Sequence, residues 1–159
     1  MLKSVVRAIT ATAVALLTLA TGQLSRADEI DGVVRLKSAY DMAETITRIK
    51  QDIAQKGIMF FDEINQSELA AKAGVKLNPS TLLVFGNPPL GTLFLTSNPD
   101  SGLDWPVRLL VHQDRQGTVW VAYTDFGWIA RRHNIKDRDA QFMMASKVIQ
   151  SIADTVRVK

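Results

Sequence analysis

The clearest patterning in the chain is a pair of alternating segments, Val107 to Gln113 and Thr118 to Thr124, joined by Asp114-Arg115-Gln116-Gly117. Alternation with a period of two predicts half-buried strands. The linking residues predict a type I turn closed by Gly117 in the left-handed region. This register sets Asp114 opposite Thr118 and His112 opposite Trp120. One face then carries Val107, Leu109, Val111, Val119, Val121 and Tyr123, and is almost wholly apolar. The other carries Arg108, Leu110, His112, Trp120, Ala122 and Thr124. A slip of one residue would mix the two sets, so the apolar face supports the register independently of the turn.

Before the hairpin, Gly32 to Lys37 predicts a first strand. Ser38 is placed to cap a helix over Tyr40 to Lys56, where Met42, Ile46, Ile49 and Ile53 recur at helical spacing. Gly57 ends it, and Ile58 to Ile64 predicts a second strand. Asn65 with Glu68 three residues on predicts a capped short helix, Ser67 to Ala73, closed by Gly74. Asn78-Pro79 turns the chain into a third strand, Thr81 to Phe85. Gly91 to Thr96 fits a short helix or a strand, and Asn98 to Pro106 is rich in turn formers. After the hairpin come a short helix over Phe126 to His133 and a final helix capped by Asp137. Ala140, Met144, Val148, Ile152 and Val156 keep a four-residue step down that helix, with Ile149 widening the stripe. Met143-Met144 is expected in the core. Strand, helix, strand, short helix, three strands and closing helices predict an α+β domain on a mostly antiparallel sheet.

Composition changes the picture at the N-terminus. Lys3 and Arg7 precede the uncharged run Ala8 to Ala20, and Ser25-Arg26-Ala27 offers small residues just before Asp28. That is the pattern of a cleaved secretory leader covering residues 1–27. The run is shorter than the ~20 apolar residues a membrane span needs. The chain has 19 Lys+Arg against 16 Asp+Glu, but Lys3, Arg7 and Arg26 fall in the leader with no acid beside them. Residues 28–159 therefore carry 16 of each, and the basic balance is no argument for a nucleic-acid or membrane partner. The absence of cysteine excludes disulfides, thiolate catalysis, thiolate metal sites and lipidation at cysteine. The exported chain is thus expected to be soluble and to rest on one hydrophobic core.

Candidate chemistry is sparse. Phe85-Gly86-Asn87-Pro88-Pro89-Leu90-Gly91-Thr92 leaves a strand as a stiff loop, because proline fixes φ. It lacks the lysine of a phosphate loop, and its prolines remove amides that would hold phosphate. His112 and His133 are the only histidines and show no metal-ligand spacing, so no metal or cofactor is assigned. Arg131-Arg132 with Lys136 and Arg138 reads as a solvated helix junction.

Several short motifs recur together in one known family. They are Gly57-Ile58-Met59-Phe60, Phe85-Gly86-Asn87-Pro88 with Gly91-Thr92, Asp104-Trp105-Pro106, and Tyr123-Thr124-Asp125 leading into Ile129-Ala130-Arg131-Arg132-His133. On these the chain, from Gly57 to about Asn134, resembles the family known as domain of unknown function 302. The resemblance implies a TATA-binding-protein-like topology and a homodimer, and it implies no catalytic residues. The chain departs from the family pattern at Trp105, where leucine is expected, and at Phe126, where proline is common.

The reading favoured by the residues is a domain that binds a small ligand or a partner without catalysis. Asn87, Asp104, Tyr123, Asp125 and His133 would form its ligand site at one end of the sheet. Leu110, His112, Trp120 and Ala122 would form a dimer interface. An enzyme using Asp125 and His133 as an acid–base pair and a purely structural homodimer are the alternatives. Export predicts that N-terminal sequencing of the secreted protein finds a start within two or three residues of Asp28; a mature protein starting at Met1 would remove the leader assignment.

Overall fold

A computed structural model describes residues 32–159; the expected leader lies outside the described residues. Five strands form one antiparallel sheet: β1 Val33–Lys37, β2 Met59–Asn65, β3 Ser80–Gly86, β4 Val107–Gln113 and β5 Val119–Thr124. Their spatial order is β1-β5-β4-β3-β2. The hairpin has the expected register, with Val111 opposite Val121 and His112 opposite Trp120. Asp114 N donates to Thr118 O at 2.9 Å, and Gly117 takes φ +83°.

The helices are α1 Met42–Gln55, α2 Gln66–Lys72, α3 Pro88–Ser97, α4 Phe126–Arg132 and α5 Asp139–Asp154. Asn65 caps α2 as expected, accepting from Glu68 N. Ser38 does not cap α1. It is still tied to the sheet through its N–H on Val119 O, and its hydroxyl pairs with Thr45 Oγ1 at 2.7 Å. The chain turns first, and Asp41 caps α1 on Glu44 N. The ambiguous segment after β3 is a helix. Pro88 and Pro89 occupy its first positions, where a missing N–H costs nothing, and Asn87 caps it on Leu90 N.

α5 begins two residues beyond Asp137, which instead accepts hydrogen bonds from Ser97 Oγ and Arg138. Its first turns are also rotated from the expected stripe. Phe142 stacks on Phe94 with ring centroids 4.1 Å apart, and this turns Met143 and Met144 outward to 61% and 57% exposure. Ile149, Ile152 and, just beyond the helix, Val156 are buried as expected.

The core lies on one face of the sheet. Leu36, Leu83, Phe85, Leu109, Val111, Val121 and Tyr123 meet Ile49 and Ile53 of α1, Phe94 of α3, Phe126 and Ile129 of α4, and the buried side of α5. α2 buries no side chain. At one sheet edge the C-terminal segment pairs with the end of β1, through the Ser38–Arg157 bridge and Val158 N on Lys37 O. At the other edge the register of β2 slips between Phe60 and Asp62.

The hairpin turn also carries a titratable contact. Trp120 Nε1 donates to Asp114 Oδ2 at 2.8 Å, and this bond, with backbone N–H groups of Thr118 and Gln116, holds the Asp114 carboxyl below its ordinary value. A depressed carboxyl stabilises the fold fully above its unfolded pKa of about 3.9, and the contribution disappears as pH falls through the lower folded value. Trp120 emission is therefore expected to change below about pH 4. Asp114→Asn should remove that acid transition; a transition identical in both proteins would assign it elsewhere.

Candidate functional site

The short 3-10 helix Pro99–Leu103 delivers Asp104 to the start of β4, with Asp104 N bonded to Ser101 O. The Asp104 side chain is 4% exposed and that of His133 is 5% exposed. His133 Nε2 lies 2.6 Å from Asp104 Oδ2. Arg132 Nη1 donates to both carboxylate oxygens, at 3.0 and 3.2 Å. Arg108 Nη2 donates to Oδ1 at 3.2 Å and to Leu103 O at 2.7 Å. Asn98 Nδ2 donates to His133 O at 2.9 Å. Both carboxylate oxygens are thus occupied by charged or ring donors, the strong class of hydrogen bond. The cluster pins the 3-10 segment, the start of β4 and the end of α4 to one point.

The cluster has a second layer. Arg132 lies over the Trp128 ring at 5.3 Å, and Trp128 covers Gly32. A Cβ on Gly32 would fall 2.4 Å from the indole, and Gly32 takes φ +68°, so a side chain there meets both a clash and backbone strain.

The expected site residues are brought to one end of the sheet, but into separate tasks. Asn87 ends β3, Asp104 precedes β4 and Asp125 follows β5, so antiparallel order puts all three at the same end. Asp104 and His133 meet. Asp125 caps α4, its Oδ1 accepting from Trp128 N at 2.7 Å, while His133 closes the other end of the same helix. The expected Asp125–His133 pair is therefore replaced by Asp104–His133. Asn87 Oδ1 is engaged at the start of α3. Tyr123 is buried on the helix side of the sheet, and burial, with the Asp154 carboxylate adding to it, pushes its phenol up. Among the described residues no three acidic or histidine side chains gather as a metal site.

A cleft lies beside these groups. Phe85, Val107, Leu90, Phe94, Trp105, Phe126, Val148 and Ile149 are among its walls, and it leaves about 50 Å³ for the centre of a water-sized sphere. Trp105 sits on the two glycines of the proline motif. A Cβ on Gly91 would lie 1.9 Å from Trp105 Nε1, and one on Gly86 3.1 Å from it. The glycine spacing around Pro88-Pro89 was the sequence signal for this seat, but the residue that fills it lies 14 positions beyond Gly91.

The sheet face opposite the core carries the proposed interface residues. Ile64, Leu82, Leu110 and Ala122 stand in one row across β2, β3, β4 and β5. Trp120, half-buried, lies beside Ala122's row and Val84 beside Leu82.

The family model described as domain of unknown function DUF302 matches residues 34–156. This chain belongs to the DUF302 family. A crystal structure of an uncharacterized conserved DUF302 protein from Bacillus stearothermophilus superposes with a TM-score of 0.72, at 20% identity, over 79% of this chain and 98% of that one. It has the same fold, so the α+β architecture is that of DUF302. Two curated relatives are similar over 104 residues at 36% identity: the fluoride-specific ion channel FluC 1 of Brucella suis and that of Brucella abortus. The match covers 65% of this DUF302 chain but only 41% and 38% of those proteins. Among the described residues no helix is long and apolar enough to cross a membrane.

The distinct tasks of the DUF302 site residues predict distinct costs. Asp104→Asn keeps the shape but leaves His133 and two arginines without their anion, an expected loss of roughly 2–3 kcal/mol in urea unfolding. Asn87→Ala and Asp125→Ala remove helix caps and should each cost about 1 kcal/mol. An Asp104→Asn protein as stable as wild type would show that the cluster is not a structural tie.

Proposed function

We propose that this chain is an exported, non-catalytic binding domain that works as a homodimer through the sheet face opposite its core. The observation that carries the reading is the row Ile64, Leu82, Leu110 and Ala122, flanked by Trp120 and Val84. A contiguous apolar patch on a sheet whose helices pack on the other side is the usual mark of an interface. A second copy is the occupant because opposite charges stand at opposite edges of the face. Arg35 and Lys37 stand on it at the β1 edge and Asp62 at the β2 edge, while Arg108, between them, is bonded to Asp104. A two-fold axis along the strands lays the β1 edge of one copy over the β2 edge of the other.

The non-catalytic part of the reading is supported by the Asp104–His133 pair. Both side chains are sealed, and both carboxylate oxygens are used in holding segments together. Export is supported by Lys3, Arg7, the run Ala8 to Ala20 and Ser25-Arg26-Ala27. A stretch similar to this chain makes up about two-fifths of proteins named as fluoride-specific ion channels. Occurrence as one portion of a larger protein fits a domain whose task is to hold a partner.

Light scattering decides the matter. The wild-type protein should have twice the chain mass, and Trp120→Glu should give a folded monomer with unchanged far-ultraviolet dichroism. Leu110→Lys is the second variant, since it leaves the Asp114–Trp120 bond intact. A monomeric wild type, or dimers in both folded variants, would defeat the proposal.

A further inference from the structure

We propose that Met143 and Met144 form a modification site on α5, at which a hydroperoxide oxidises the two thioethers to sulfoxides while the fold stays intact. The site is on the solvent side of the helix layer, away from the sheet face of the dimer reading, and neither reading depends on the other.

The phase of α5 puts the sulfurs there. Phe142, Ala145, Ile149 and Ile152 recur three and four residues apart and are buried. The stack of Phe142 on Phe94, with centroids 4.1 Å apart, holds that phase. Each residue advances a helix by about 100°, so the two positions after Phe142 stand on the side turned away from the core. Met143 and Met144 are 61% and 57% exposed there.

Packing gives no reason for methionine at these positions. A core methionine fills irregular gaps, whereas these two lie mostly in water. Ala140, Lys147, Gln150 and Ser151, exposed around them on α5, are small or polar. Two methionines in such surroundings fall short of the roughly 800 Å² that each partner buries in a stable interface. What separates methionine from leucine or lysine on a helix surface is its oxidisable sulfur. The chain has no cysteine, so no thiol competes for the oxidant.

The chemistry is an oxygen transfer. A lone pair on the thioether sulfur attacks one oxygen of the hydroperoxide. The S–O bond forms as the O–O bond breaks, and the proton of the transferred oxygen passes to the leaving oxygen, which departs as water or an alcohol. The sulfur gives up two electrons and the peroxide takes them. The product is a polar sulfoxide, which disrupts a core but is readily solvated at an exposed position. The buried stripe from Phe142 to Ile152 is left untouched.

Two other methionines frame the test. Met42 is half-buried and packs against the core, which makes it the internal standard. Met59 stands alone on β2 at 53% exposure and reacts separately. The full chain is treated with hydrogen peroxide and followed by peptide mass spectrometry. Met143 and Met144 should each gain one oxygen at least about threefold faster than Met42, since susceptibility follows exposure. A chain carrying Met143→Leu and Met144→Leu should fold and take up two fewer oxygens. Far-ultraviolet dichroism and the urea midpoint are read in Met59→Leu, so that any change on oxidation belongs to α5, and both should stay at their starting values. Oxidation of the pair no faster than that of Met42 would overturn the proposal. So would loss of folded signal in step with oxidation of the pair, or undiminished oxygen uptake by the double variant.

Discussion

One buried carboxylate organises the end of the sheet where β3, β4 and β5 meet α3 and α4. Asp104 sits where the 3-10 segment meets β4, and it draws His133 and Arg132 from the end of α4 and Arg108 from β4 itself. Truncating one partner of such a group strands the rest, because a desolvated ion costs more than its own bonds return. Fixing Asp104 also fixes its neighbour Trp105, whose indole rests against Gly86 and Gly91. The position of the cleft wall is thus set by an ionic contact made one residue earlier. The same tie holds α4 against the strands, and with it Phe126, which closes the cleft from the other side.

The sheet divides the molecule into two kinds of surface. On one side, Leu83, Leu109, Val111 and Val121 have no exposure at all, and the helices that cover them are held by apolar packing. On the other, Ile64, Leu82 and Leu110 of the row across the strands remain half-buried, and the small Ala122 between Leu110 and β1 is buried. The first side stabilises the chain, and the second is the face proposed for association. Both sides arise from one alternation, since successive residues of a strand point to opposite faces.

Much of this was legible in the residues because strand and hairpin signals are local. The turn at Asp114 to Gly117 fixed a register that the structure reproduces at His112 and Trp120. Asn65 and Glu68 announced α2 in the same way. What escaped was set by partners far away in the chain. Ser38 lost its capping role to a contact with the sheet, and α5 was rotated by the stack of Phe142 on Phe94. The site divides along the same line. Asp104 and His133 were both recognised as candidates, but the choice of Asp104 over Asp125 as the histidine's partner depends on a fold that brings residues 29 positions apart together. Asn87 and Asp125 stood out because cap residues and ligand residues are drawn from the same polar types. Trp105 gave no signal as a wall, since its seat is made by glycines in another element.

The slipped register in β2 has a consequence for how copies of this chain can meet. A regular outermost strand exposes a row of N–H and C=O groups that another chain can extend, and the route leads to open-ended stacks. The irregularity between Phe60 and Asp62 breaks that row, and at the opposite border the C-terminal segment already pairs with the end of β1. Both borders of the sheet are therefore poor templates for growth. The proposed dimer, made face to face, is a closed assembly that needs neither border, and it stops at two subunits.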